Sequence, residues 1–186
     1  MQKKVAFFKE AVKSIKTSGT FIPSSRFLVK RMLKNVNFQT SEVIIEFGPG
    51  NGIITTEILK RLKPKAILIC FEINQNFHDE LERINNDQLV VLNASAEDIE
   101  SELLKLGISK VDSIISSLPL AILPKELSQN IIINAHKVLK NEGIFVQYQY
   151  SIQFLKQFKT IFNKNKVDLD FEPLNVPPAF LYVCEK

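Results

Sequence analysis

Val43-Ile44-Ile45-Glu46-Phe47-Gly48-Pro49-Gly50-Asn51-Gly52 is the stretch on which the fold turns. An apolar, β-branched run ends in a carboxylate, enters a glycine-rich turn, and gives way to a helix pattern over 53–62. A turn this bare of side chains at a strand's carboxyl end points to a ligand pressed against the backbone. The G-x-G-x-G spacing is not that of a phosphate loop, G-x-x-x-x-G-K-[ST]. It also departs from G-x-G-x-x-G, because Ile53 stands where the third glycine would be. Glu46 before the glycines disfavours a pyrophosphate and favours a ligand bearing an amine or hydroxyls.

Working outward, strands read at 43–47, 66–71, 89–92, 111–116, 143–149, 166–171 and 179–184. Helices read at 53–62, 75–84, 97–106, 125–139 and 151–162. Most strands are continuous apolar runs, as expected where both faces of a sheet are covered. The alternation predicts a doubly wound α/β sheet of seven strands, mostly parallel. The link 172–178 has no room for a crossover helix, so the last strand should run antiparallel.

Residues 2–16 read as an amphipathic helix: Val5, Phe8, Val12 and Ile15 form a stripe, with Lys9, Lys13 and Lys16 opposite. Lys4 breaks the pattern. One reading docks the stripe on the core, and the other lays it on an anionic membrane. A loop follows, Thr17 to Ser25, then a second basic helix, Arg26 to Leu33. Residues 1–34 hold nine basic side chains against Glu10, and the whole chain is +4, so residues 35–186 sum to −4. An anionic partner should therefore be met at the N-terminus.

With 186 residues and 45% hydrophobic content, the chain suits one domain: a basic segment at 1–34 and a core at 42–186. Cys70 and Cys184 lack metal-type spacing and read as reduced core thiols. His78 and His136 form no metal constellation, so no metal is expected. No apolar run spans a bilayer and no signal peptide is read, which predicts a cytoplasmic protein, peripheral to the inner membrane face if the N-terminal helix binds lipid.

Three further features carry chemistry. Glu72 ends the second strand 24 residues after Gly48, where an acidic side chain reaches ribose hydroxyls. The turn Leu92-Asn93-Ala94-Ser95-Ala96 leaves room for a flat ring. Ser116-Ser117-Leu118-Pro119-Leu120 leaves the fourth strand, and the crevice rule sets it beside the reaction centre.

Together, Glu46-x-Gly48-x-Gly50-x-Gly52, Glu72 and Val138-Leu139-Lys140-Asn141-Glu142-Gly143 resemble the Rossmann-like class I S-adenosylmethionine-dependent methyltransferases. Phe47-Gly48-Pro49-Gly50 with Ser117-Leu118-Pro119-Leu120 is similar to the rRNA adenine dimethyltransferases. Ser117 and Leu120 replace the Asn and aromatic residue that hold the adenine amine there, and the sequence ends where those enzymes continue into a helical RNA-binding lobe. The fuller resemblance is to soluble bacterial phosphatidylethanolamine N-methyltransferases. It rests on the basic N-terminal helix, Gly19-Thr20-Phe21-Ile22-Pro23-Ser24-Ser25-Arg26, the Ser116 to Leu120 loop with Ser117 for Gly, Phe145 to Tyr150, and Leu174 to Ala179.

This resemblance implies methyl transfer from S-adenosylmethionine to a phospholipid amine at a membrane surface. Glu46, Gly48, Gly50 and Gly52 would hold the cofactor's methionine end, Glu72 its ribose with Ile73 alongside, and Ser95 and Ala96 its adenine. Ser116, Leu118 and Pro119 would shape the acceptor site, with Ser116 also touching cofactor. Tyr148 and Tyr150 would either contact the amine or simply pack the strand. Ser24, Ser25 and Arg26 would close over the cofactor, bind a lipid phosphate, or serve only as a helix start. The basic stretch 1–16 would meet an anionic membrane. The alternative is an RNA or small-molecule methyltransferase whose basic N-terminus faces nucleic acid. The oligomeric state is not legible.

Overall fold

The computed structural model describes residues 25–186. The expectations for the 2–16 helix and for Ser24 lie outside them. Seven strands form one sheet in the order β3-β2-β1-β4-β5-β7-β6. They are β1 (Val43–Phe47), β2 (Ile67–Phe71), β3 (Leu89–Leu92), β4 (Val111–Ser116), β5 (Leu139–Gln149), β6 (Val167–Glu172) and β7 (Ala179–Glu185). Strands β3, β2, β1, β4 and β5 pair in parallel. β7 runs antiparallel to both β5 and β6. The expected mixed Rossmann-like sheet is therefore present, with the last strand as the reversed one.

The helices are α1 (Arg26–Leu33), α2 (Ile53–Leu59), α3 (Gln75–Glu82), α4 (Ile99–Lys105), α5 (Lys125–Val138) and α6 (Leu155–Ile161). Alternation along β1 divides the core. Ile45 and Phe47 join a cluster with Ile131, Phe145 and Phe158, while Ile44 joins one with Leu28, Met32, Ile54 and Ile58. Burial on both faces explains why the central strands read as unbroken apolar runs.

Several boundaries differ from those the sequence suggests. β5 begins at Leu139, because α5 runs straight into it and Val111 pairs Leu139 ahead of a register shift. Glu142, at φ 63°, then turns the chain so that its amide and the Gly143 carbonyl pair with Lys186. The stretch at 97–106 opens as a 3-10 turn, Ala96–Asp98, capped by Ser95. The final helix starts only at Leu155 and α2 stops at Leu59.

α1 reports where part of the N-terminal charge goes. Arg31 donates from Nε to Glu172 (2.7 Å) and from Nη1 to Asp170 (2.9 Å), and Lys34 Nζ lies 2.7 Å from Asp170. Burial pushes the Glu172 carboxyl up, but its hydrogen bonds from Arg31 and the Leu174 amide outweigh that and hold it below the usual range. These two cations fasten α1 to β6, while Arg26 and Lys30 remain exposed.

Candidate active site

β1 and β4 are the neighbours at which strand order reverses, so the crevice opens between their carboxyl ends. The hydrogen-bond rows continue past the strand tips. The Gly48 amide donates to Phe71 O (3.1 Å), that of Ser117 to Phe47 O (2.9 Å), and that of Glu72 to Leu92 O (3.0 Å). The three loops singled out in the sequence thus start from one registered edge.

In the glycine turn, Gly48, Gly50 and Gly52 all take positive φ, 65°, 57° and 77°. L side chains rarely adopt this conformation, so three glycines in five residues follow from the turn itself. Space is the second constraint. A Cβ on Gly48 would lie 2.9 Å from Leu118 Cδ2, and one on Gly52 3.0 Å from Leu81 Cδ2.

Glu46 is fully buried. Its Oε2 accepts from Thr55 Oγ1 at 2.7 Å and from Cys70 Sγ at 3.5 Å, while Oε1 is buried with no protein partner. Burial pushes this carboxyl up to about 7, against the pull of the Thr55 and Cys70 hydrogen bonds. Glu72 lies at the tip of β2, where its Oε2 accepts from the Gly50 amide (3.2 Å) and its Oε1 from the Asn74 amide (2.8 Å). A direct bond therefore joins the acidic residue to the turn it was expected to accompany. Ile73 is buried, Ala96 is buried, and the Ser95 hydroxyl caps the Glu97 amide at 3.2 Å.

The loop after β4 is clamped from β5. Gln147 Nε2 and Gln149 Nε2 both donate to the Leu118 carbonyl, at 3.0 and 2.8 Å. A cavity of about 200 Å³ lies against this loop, lined by Ser117, Leu118, Pro119, Ile122, Tyr148 and Tyr150 among others. The two tyrosine rings meet edge to face at 5.9 Å. Tyr148, Tyr150, Leu118 and Pro119 thus line one cavity. Ser116 is not part of this lining. It is fully buried, and its hydroxyl accepts weakly from the Leu118 amide (3.4 Å). Its neighbour Ser117 lines the cavity instead, with Oγ buried and unpartnered.

Ser25 acts as the N-cap of α1, accepting from the Leu28 amide (3.2 Å), and its own amide donates to Asn175 Oδ1 (3.1 Å). The Arg26 guanidinium lies 4.9 Å from the Phe27 ring, at a groove shared with Lys30 and Arg61. The sequence reading did not single out Thr55, Gln147 or Gln149. The signal for the glutamines was present, since they alternate with Tyr148 and Tyr150 in register with the core residue Phe145.

A glycine cradle bonded to one carboxylate and standing above another, at the switch point of this sheet, defines a class I S-adenosylmethionine-dependent methyltransferase. Comparison with known proteins agrees. Residues 16–153 match the ribosomal RNA adenine dimethylase family, and the chain belongs to that family. It is 32% identical over 168 residues to an ornithine lipid N-methyltransferase of Singulisphaera acidiphila, covering 89% of this chain and 87% of that protein. It is 35% identical over 71 residues to ribosomal RNA small subunit methyltransferase A of a Sulfurihydrogenibium species, covering 38% of this chain and 27% of that one. A structure of an S-adenosylmethionine-dependent methyltransferase from Aquifex aeolicus superposes with a TM-score of 0.66 at 12% identity, over 91% of this chain and 96% of that one.

The site's own features fit the cofactor. Gly48 takes a positive φ that L side chains rarely adopt, and Glu46 keeps a buried oxygen without a protein partner. An ammonium or hydroxyl donor would complement that oxygen.

Proposed function

We propose that the enzyme methylates the amine of a phospholipid head group, such as phosphatidylethanolamine, at a membrane surface. The observation that carries this reading is the small tyrosine-walled cavity against the loop clamped from β5 by Gln147 and Gln149. The relative of nearly full coverage named as a lipid N-methyltransferase supports it.

S-adenosylmethionine supplies a methyl group on a sulfonium, open to in-line attack by a nitrogen lone pair. The chain's part is to bind, orient and exclude water. Glu46 with the amides of Gly48, Gly50 and Gly52 would hold the methionine end. Glu72 would hold the ribose, Ile73 would pack beside it, and Ser95 and Ala96 would border the adenine. On the acceptor side, the Leu118 carbonyl is already taken by two glutamine amides. The Ser117 hydroxyl, buried and unpartnered, is the better acceptor for an amine N–H. Tyr148 and Tyr150 offer ring faces to the cation that accumulates as methyl groups are added. Leu118 and Pro119 wall the pocket, and Ser116 supports their loop from beneath.

The basic amphipathic sequence 1–16 supports recruitment to an anionic surface, which would make the enzyme peripheral on the cytoplasmic membrane face. No helix among the described residues is long and apolar enough to cross a membrane. Mass spectrometry of lipids from cells with and without the protein tests the assignment. Methylated head groups should appear only with the protein, and an unchanged lipid profile contradicts it.

A further inference from the structure

Three connections leave the carboxyl edge of the sheet without a single Asp, Glu, Lys or Arg: 116–124, 150–155 and 173–178. That is unusual in a chain that is 24% charged. These same stretches carry large exposed apolar side chains. Ile152 is 52% exposed, Leu174 59% and Val176 68%, beside Ile122 and Tyr150, which line the cavity. Register places them together. Gln149 at the end of β5 pairs Phe180, and Glu172 pairs Ala179, so the β6–β7 turn stands at the edge from which 150–155 departs.

The turn is held, not loose. Asn175 is buried, accepts from the Ser25 amide (3.1 Å) and donates to Pro177 O (2.8 Å), and Glu172 accepts from the Leu174 amide (2.9 Å). Anchoring Asn175 inward leaves the residues on either side, Leu174 and Val176, outward. Of the charges that bound these stretches, Lys125, Glu126 and Lys156 are exposed, while Glu172 is buried and paired with Arg31; the exposed Arg26 follows Ser25, which holds Asn175.

We propose that this edge is a membrane-docking surface. Leu174 and Val176 form its wedge, Ile152, Ile122 and Tyr150 its floor, and basic residues flank it for an anionic bilayer. An uncharged apolar patch bounded by cations matches the acyl–head-group boundary, where apolar groups are buried and cations meet lipid phosphates. Docking in this pose turns the mouth of the cavity toward the head groups. The inference rests on the lipid-amine reading above, and it adds which face of the fold meets the lipid.

The test uses the full chain, which contains no tryptophan. In Val176→Trp the single indole should shift to the blue on vesicles of phosphatidylethanolamine and phosphatidylglycerol, and brominated lipid should quench it. Leu104→Trp, on α4 well away from this edge and 78% exposed, should not respond. The Leu174→Ser/Val176→Ser variant should partition onto these vesicles roughly tenfold more weakly than wild type. It should keep its affinity for S-adenosylmethionine and its methyl transfer to detergent-dispersed phosphatidylethanolamine. An unmoved Val176→Trp emission with wild-type partitioning of the double variant would overturn the proposal. Wild type that docks but transfers no methyl to dispersed lipid would sink the lipid-amine reading alone.

Discussion

The Gly48 backbone lies directly against the Leu118 side chain: a Cβ at 48 would come within 2.9 Å of Leu118 Cδ2. The glycine turn and the loop after β4 therefore meet at this point. Gly48→Ala forces a left-handed φ onto an L side chain, at roughly 1–2 kcal/mol, and adds the clash. Calorimetry should show S-adenosylmethionine affinity at least about tenfold weaker, and turnover should fall with it. Wild-type affinity would mean that the turn is not the cofactor cradle.

Glu72→Ala removes the carboxylate that accepts from Gly50. Loss of charge-assisted hydrogen bonds to ribose should cost about 1–3 kcal/mol of cofactor affinity. Titration calorimetry on the folded variant checks this, and an unaltered dissociation constant would remove Glu72 from the ribose site.

Glu46 gives a pH prediction with a definite sign. Its carboxyl is raised in the folded protein from 4.5 to about 7 by burial. Between these values the native state holds a proton that the unfolded chain has released, so rising pH destabilises the fold. Relative to Glu46→Gln, the wild type should lose up to about 3 kcal/mol from pH 4.5 to 7.5, at roughly 1.4 kcal/mol per pKa unit. Denaturant unfolding of both proteins across that range measures it. A stability difference that does not vary with pH would show that Glu46 is not the buried titrating group.

The glutamine clamp predicts a separation of kinetic constants. In Gln149→Leu the Leu118 carbonyl keeps its bonds from Gln147 and from the Leu120 amide but loses one of its two ties to β5. The loop should loosen, raising KM for the amine several-fold while cofactor affinity stays near wild type. Equal losses in both would place the clamp in general folding.

Arg31→Ala strands the buried Glu172 carboxylate. Removing one partner of such a pair costs several kcal/mol when fully buried, and Arg31 is partly exposed, so about 2 kcal/mol is expected. Arg31→Lys should recover only part of it, because one ammonium cannot reproduce the fork that reaches both Glu172 and Asp170. Thermal unfolding of the three proteins decides.

Most of the sheet was legible because its strands are buried on both faces and read as continuous apolar runs, and the 172–178 link forces an antiparallel end. The order β5-β7-β6 was not legible, since nothing local tells β7 to insert beside β5. The glycine turn and its carboxylate partner were readable from Gly48, Gly50, Gly52 and Glu72, because positive φ and a strand-end carboxylate leave direct marks in sequence. The cavity against the loop after β4 was readable only in outline. Whether Ser116 or Ser117 faces the cavity depends on how the chain turns after β4, and that turn is set by long-range bonds from Gln147 and Gln149. Likewise the basic count at the N-terminus did not reveal that Arg31 and Lys34 are held by Asp170 and Glu172, about 140 residues away.

The most direct measurement is transfer of isotope-labelled methyl from S-adenosylmethionine by the purified full chain, offered phosphatidylethanolamine–phosphatidylglycerol vesicles and ribosomal RNA in separate reactions. Label should enter the lipid amine, falling strongly in Glu72→Ala, and not the RNA. Label in RNA with none in lipid would contradict the account.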